Sequence, residues 1–248
     1  MEEPILETEA IETPQPVRRA WAIWLAAVGL GVLVCTAGFI GVLIFAGPGL
    51  MEKFLPERVQ PAAAQVRGIT HSNTMGDPDA PIHMIEYGDF QCPYCLRFWK
   101  ETEPQLIEEY VNTGKVYFEF RSFAFIGPES TAAAEAAYCA GDQGKFWEYH
   151  DTLFTNWTGE NAGDFTREKL RGYAESVKLD VELFEQCMDE EKHKETVDQD
   201  MANAQKDGVH ATPTFIINGE KIEGAQPFSV LKHILQEMLN GGLGTGSG

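Results

Sequence analysis

The sequence is short of positive charge, of cysteine and of paired histidine. Lys and Arg number 19 against 38 Asp and Glu, a formal net charge of -19. Phosphate recognition needs clustered Lys and Arg, and no basic stripe is present, so a nucleic-acid binder is excluded. Five cysteines in 248 residues are too few to frame the fold by disulfides, so their spacing has to carry the information. The six histidines are scattered. A structural zinc site takes four ligands, and there is neither a second Cys-x-x-Cys nor a His-x-x-x-His pair to complete one. Apolar residues make up 44% and aromatics 11%, ample for a packed core, which excludes wholesale disorder.

Residues 1–20 hold five glutamates and little periodicity, the pattern of a disordered acidic tail. From Ala20 to Met51 no residue is charged. The stretch Trp21 to Ala46 would run about 39 Å as a helix at about 1.5 Å per residue, enough to span a bilayer with some tilt. Trp21 and Trp24 lie at one end, where indoles favour the headgroup zone, and Gly47-Pro48-Gly49 closes the other. A single transmembrane helix is therefore expected over 21–47, followed by a linker over 48–67. A cleaved signal peptide is the rival, but its apolar region would be about 7 to 15 residues, and Ala62 to Ala64 lie too far downstream to serve it. Arg18 and Arg19 on one side nearly balance Lys53 and Arg58 on the other, so charge alone does not orient the span.

Beyond the linker, Ile82 to Tyr87 follows a turn cluster at Gly76 to Pro81 and is predicted to be a buried strand. A helix should start near Pro93 and run through Leu96, Trp99, Leu106, Ile107 and Tyr110, kinked at Pro104. Lys115 to Phe123 alternates as a second strand. Glu129 to about Asp207 is helical, with turn signals suggesting four helices. Asn218-Gly219 between Thr214–Ile217 and Glu220–Glu223 marks a hairpin. A last helix follows Gln226-Pro227, and residues 241–248 form a flexible Gly-rich tail. The order is βαβ, a helical block, then ββα: a mixed sheet flanked by helices.

Cys92-Pro93-Tyr94-Cys95 stands where the first strand hands over to the first helix. At that place Cys92 meets unpaired backbone N–H groups and the helix dipole, which should lower its pKa into the range of about 3.5 to 7.5. Cys95, one turn in, should be more enclosed and less acidic. The two can form a disulfide that opens easily, because Cys92 is a good leaving group. An ordinary structural bridge and half of a zinc site are the competing interpretations.

The segments Ile85 to Cys95 and Gly208 to Gly219, together with the helical block between them, resemble the DsbA-like branch of thioredoxin-fold disulfide oxidoreductases. The resemblance covers about residues 68–240. It implies a thioredoxin fold with a helical insertion at about 128–208, a cis proline at Pro213, and a client peptide held against Thr212, Pro93 and Tyr94. It also makes Glu86, six residues before Cys92, the buried carboxylate that exchanges a proton with Cys95. Alternation places Glu86 on the face of Ile82 and Met84; an outward-facing strand glutamate is the alternative. Tyr94 stands where the best-known oxidases carry histidine, which leaves oxidising strength open. The resemblance further suggests a structural disulfide between Cys139 and Cys187, with two separate buried thiols or a second redox relay as alternatives. Phe90, Phe98 and Trp99 either line a client groove or belong to the core.

The expected activity is that of a membrane-anchored, extracytoplasmic dithiol oxidase acting on unfolded or reduced exported proteins, reoxidised by a membrane redox partner and needing no cofactor or metal. A reductase or isomerase using the same site, and a noncatalytic binding domain, are the alternatives.

Overall fold

The computed structural model describes residues 70–241. The acidic tail, the span expected over 21–47, the linker and all but the first residue of the Gly-rich tail lie outside them. Among the described residues no helix is long and apolar enough to cross a membrane.

Six strands form one sheet in the order β1-β2-β4-β3-β5-β6: β1 (Thr70–His71), β2 (Thr74–Met75), β3 (Ile82–Gly88), β4 (Val116–Ser122), β5 (Thr214–Ile217) and β6 (Glu220–Glu223). β3 lies at the centre, parallel to β4 and antiparallel to β5. Its register sets Glu86 between Phe120 and Phe215. β4 alternates as expected, with Val116, Phe118 and Phe120 buried and Tyr117, Glu119 and Arg121 half-buried. The short β1 and β2 are additions; two-residue strands carry too little alternation to be read in advance. At the hairpin Asn218 has φ 48° and Gly219 φ 90°, the two positive values that a type I′ turn demands.

Helix α1 (Pro93–Glu101) buries Cys95, Phe98 and Trp99. The single kinked helix predicted here is in fact two. The chain stops at Thr102 and restarts as α2 (Glu103–Leu106), then continues as one π-helical turn over Ile107–Val111. Pro104 has no N–H to offer the preceding turn, so the ladder cannot run through it. The gap is stitched by Thr102 N–H to Phe98 O at 2.9 Å and by the Thr102 hydroxyl to Gln226 O at 3.1 Å.

The helical block holds five helices, not four: α3 (Pro128–Gly141), α4 (Phe146–Asn156), α5 (Arg167–Ser176), α6 (Val181–Asp189) and α7 (Lys194–Lys206). The reversals before α6 and before α7 use Lys178 (φ 62°) and Glu191 (φ 48°) in the left-handed region. Glycine usually marks such places and here does not. Cys139 on α3 and Cys187 on α6 are joined by a disulfide with Cα atoms 5.9 Å apart. α8 (Phe228–Leu239) follows, burying Leu231 and Leu235.

One face of the sheet joins the main core: Met84, Phe118 and Phe120 pack with Phe98, Trp99, Phe146, Leu153 and Phe154 from the helices. On the other face Tyr87, Phe123, Ala204 and Val209 form a smaller cluster with Ile85, Met201 and Ile216. The helical insertion thus contributes to both sides of the sheet.

Candidate active site

β3 ends at Gly88, and the turn from Asp89 to Gln91 delivers the chain into α1. Asp89 is fully buried. Its Oδ1 accepts from Gln91 N–H at 2.8 Å, and its Oδ2 from Phe125 N–H at 3.0 Å and Ile126 N–H at 3.2 Å. The Gln91 side chain, equally buried, donates to Ser130 Oγ at 2.9 Å and accepts from Asn161 N–H at 2.5 Å. The turn is therefore fixed from both α3 and the loop between α4 and α5. Neither residue was singled out by sequence; a lone Asp or Gln in a turn carries no distinguishing pattern.

Cys92 takes the N-cap position of α1 with extended backbone and no side-chain capping bond. Cys92 and Cys95 are both free thiols. Cys92 is 5% exposed and Cys95 fully buried. The Cys92 thiol donates to Thr212 O at 3.3 Å, and the Thr212-Pro213 bond is cis. Cys92, Cys95, Thr212 and Pro213 therefore meet although more than a hundred residues separate the two pairs.

The Cys92 pKa is lowered from 9.0 to about 6. The hydrogen bond from Cys95 is the largest cause; burial works against it, while the Thr212 side chain and the N–H groups of Cys95 and Tyr94 add to it. This corrects the sequence argument in one respect, since the neighbouring thiol contributes more than the helix amides do. Burial pushes the Cys95 thiol well above its ordinary value, helped by its bond to Cys92 and by the Cys92 and Glu86 charges. A chemically identical pair is thus split into one acidic and one inert thiol.

Glu86 points inward and is only 2% exposed. Burial raises its carboxyl well above the usual range, with Glu103 and Cys92 adding like-charge repulsion, and its Oε2 has no hydrogen-bond partner. Pro93 and Tyr94 face solvent. Tyr94 is 56% exposed, with the Arg97 guanidinium 5.2 Å from its ring centre. Phe125, tied to Asp89, is 49% exposed, a second aromatic beside the turn before Cys92 that no local pattern marks. Phe90, Phe98 and Trp99 are core residues, all at most 3% exposed. Cys139 and Cys187 serve the α3–α6 bridge and do not join this cluster.

A family model described as thioredoxin matches residues 70–237. A protein of Bacillus anthracis named "Probable disulfide bond formation protein D" is 38% identical over 152 residues, covering 59% of this chain and 69% of that one. The Na(+)/H(+) antiporter NhaA 1 of Salinispora arenicola is 31% identical over 191 residues, which make up 76% of this chain and only 26% of the antiporter. The chain thus spans about a quarter of that relative's length. Among solved structures, oxidised BdbD from Bacillus subtilis superposes with a TM-score of 0.64 at 27% identity, covering 70% of this chain and 96% of that one.

Proposed function

This chain belongs to the thioredoxin family, in its DsbA-like thiol-disulfide oxidoreductase branch, and from that footing we propose that it is a membrane-anchored, extracytoplasmic dithiol oxidase. Its site is Cys92-Pro93-Tyr94-Cys95, and its clients are reduced or unfolded exported proteins. The observation that carries the proposal is the inequality of the two sulfurs: Cys92 ionises near 6, whereas burial keeps Cys95 protonated.

In the oxidised enzyme a client thiolate attacks Cys92 Sγ. The Cys92–Cys95 bond breaks, and Cys95 leaves with the bond's electron pair and takes up a proton. A second client thiolate then attacks the client sulfur of the mixed disulfide, and Cys92 departs as a thiolate. The client has lost two electrons and the enzyme has gained them. An acidic Cys92 favours this direction, because stabilising the reduced enzyme makes the oxidised form the stronger oxidant. Thr212, whose carbonyl meets the Cys92 sulfur, the adjoining Pro213 and the exposed Tyr94 are where a client strand lies.

The span over 21–47 holds the catalytic domain at the outer face of the cell membrane. A quinone-linked membrane protein reoxidises Cys92 and Cys95, and sharing one bilayer raises the rate at which the two meet. The reductase alternative is favoured by one observation, that Tyr94 brings no positive charge to Cys92.

Equilibration of the purified protein with glutathione, alongside oxidation of a reduced unfolded protein, tests the proposal. Rapid client oxidation and a potential nearer about -120 mV than about -270 mV are expected. A value close to the second figure would establish the reductase, and a bridge that does not exchange would establish a binding domain. Cys92→Ser abolishes either redox activity.

A further inference from the structure

Each exchange changes the protonation of Cys95, and Glu86 is the carboxyl placed to supply or accept that proton. Yet Glu86 is 2% exposed and cannot trade protons with water directly. A second carboxyl, Glu103, is 0% exposed and set at the first position of α2 by the helix restart, and its charge helps to raise the Glu86 pKa. One ring nitrogen of His150 and one carboxylate oxygen each of Glu103 and Asp151 lie within 4.8 Å of one another. His150 is itself fully buried. The rings of Phe154, Phe120, Trp147 and Phe90 stand 5.0, 5.1, 5.2 and 5.5 Å from it, and Phe120 is the cross-strand neighbour of Glu86. Asp151 is held by the Trp99 indole N–H at 2.8 Å, and its side chain is 18% exposed. Three carboxyls therefore step from beneath the sulfurs, through the core, to the protein surface.

We propose that Glu103 and Asp151 form a proton path between Glu86 and solvent, with His150 fixed beside it by the aromatic rings. The inference rests on the assignment of Cys92 and Cys95 as an exchange site. When a client opens the bridge, the Cys95 thiolate takes the Glu86 proton. Glu86 is refilled from Glu103, Glu103 from Asp151, and Asp151 from water; reoxidation runs the same hops outward. No electrons travel along this route, and neither Glu103 nor Asp151 touches the client; both act through Glu86. The unpartnered Glu86 Oε2 is the open acceptor at the inner end. The ionisable groups whose charges bear on Glu86 are Glu103 and Cys92, and its own charge bears on Cys95; those beside Glu103 are His150 and Asp151.

Single-turnover mixing of the oxidised full-length protein with a reduced dithiol peptide, from pH 5 to pH 8 in H2O and D2O, tests the path. Asp151→Asn keeps the oxygen that Trp99 needs and interrupts only the last hop. Glu103→Gln interrupts the middle one, and Glu103→Asp should restore it in part. Both interruptions are expected to slow reduction of the enzyme about tenfold at pH 8. The loss should shrink toward pH 5 and the solvent isotope effect should grow, with the Cys92 alkylation profile unmoved. Rates, pH profiles and isotope effects equal to the unmodified protein's would overturn the path. Should Glu103→Gln fail to fold, Asp151→Asn decides the matter alone. Failure of the unmodified protein to exchange with the peptide would instead overturn the exchange site, and the path with it.

Discussion

Sulfurs three positions apart differ in acidity here because Cys92, at the helix entrance, is stabilised as a thiolate chiefly by the Cys95 thiol, whereas Cys95 lies a turn inside the helix and is fully buried. The same burial that keeps Cys95 neutral acts on Glu86, whose carboxyl is favoured in its protonated form inside the protein. For such a group the stabilising contribution is complete below the unfolded pKa and is lost as pH rises through the folded one. Replacing it with an isosteric apolar side chain removes that loss. Glu86→Leu is therefore expected to raise the urea midpoint at pH 8, by about 1 to 3 kcal/mol in unfolding free energy, and to change it much less at pH 4. An equal effect at both pH values would show that Glu86 is not buried with an unmet charge. Cys92 and Cys95 were legible from the motif and its place at a helix entrance, and Glu86 from the family resemblance, with strand alternation only consistent with its inward face. Asp89, Gln91 and Phe125 were not, because their contribution comes from contacts across 36 to 70 residues of chain.

Among the elements, β3 carries the tightest constraint. A Cβ built on Gly88 would fall 2.5 Å from Phe120 Cε2, 3.0 Å from its Cζ and 3.3 Å from Glu86 Oε1. Phe120 is 1% exposed and cannot swing away. Gly88→Ala should cost about 1 to 3 kcal/mol of stability and displace the Glu86 carboxyl. A thermal melt within a degree of the unmodified protein's would show that the strand end yields. The hairpin and the two central strands could be read from residue patterns because turn chemistry and alternation are local signals. The interruption at Pro104 was legible, though as a kink and not as the break at Thr102, while the reversals at Lys178 and Glu191 escaped because they use residues that carry no turn signature.

Taken as a whole molecule, the fold follows the βαβ, helical block and ββα order that the sequence implied, and the block proves to be structural support on both sheet faces. Its redox state and its stability are linked. The Cys92 thiol ionises near 6 in the folded protein against 9.0 for the free side chain, so ionisation favours the folded, reduced state increasingly between those values. The gain reaches up to about 4 kcal/mol and is lost as the pH falls through 6. Denaturant titration of the reduced protein should accordingly show its advantage over Cys92→Ser widening from pH 6 to pH 9; a constant difference would contradict the assigned acidity.

Gln91 reaches across the molecule in two directions, to Ser130 and to the backbone of Asn161. The four-residue segment Cys92–Cys95 is consequently not a transferable cassette. Excising residues 128–208 to leave a minimal thioredoxin core would strand that amide in bulk water and unmoor the loop ahead of Cys92. The appended helices are the mortise into which the reactive strand end is fitted.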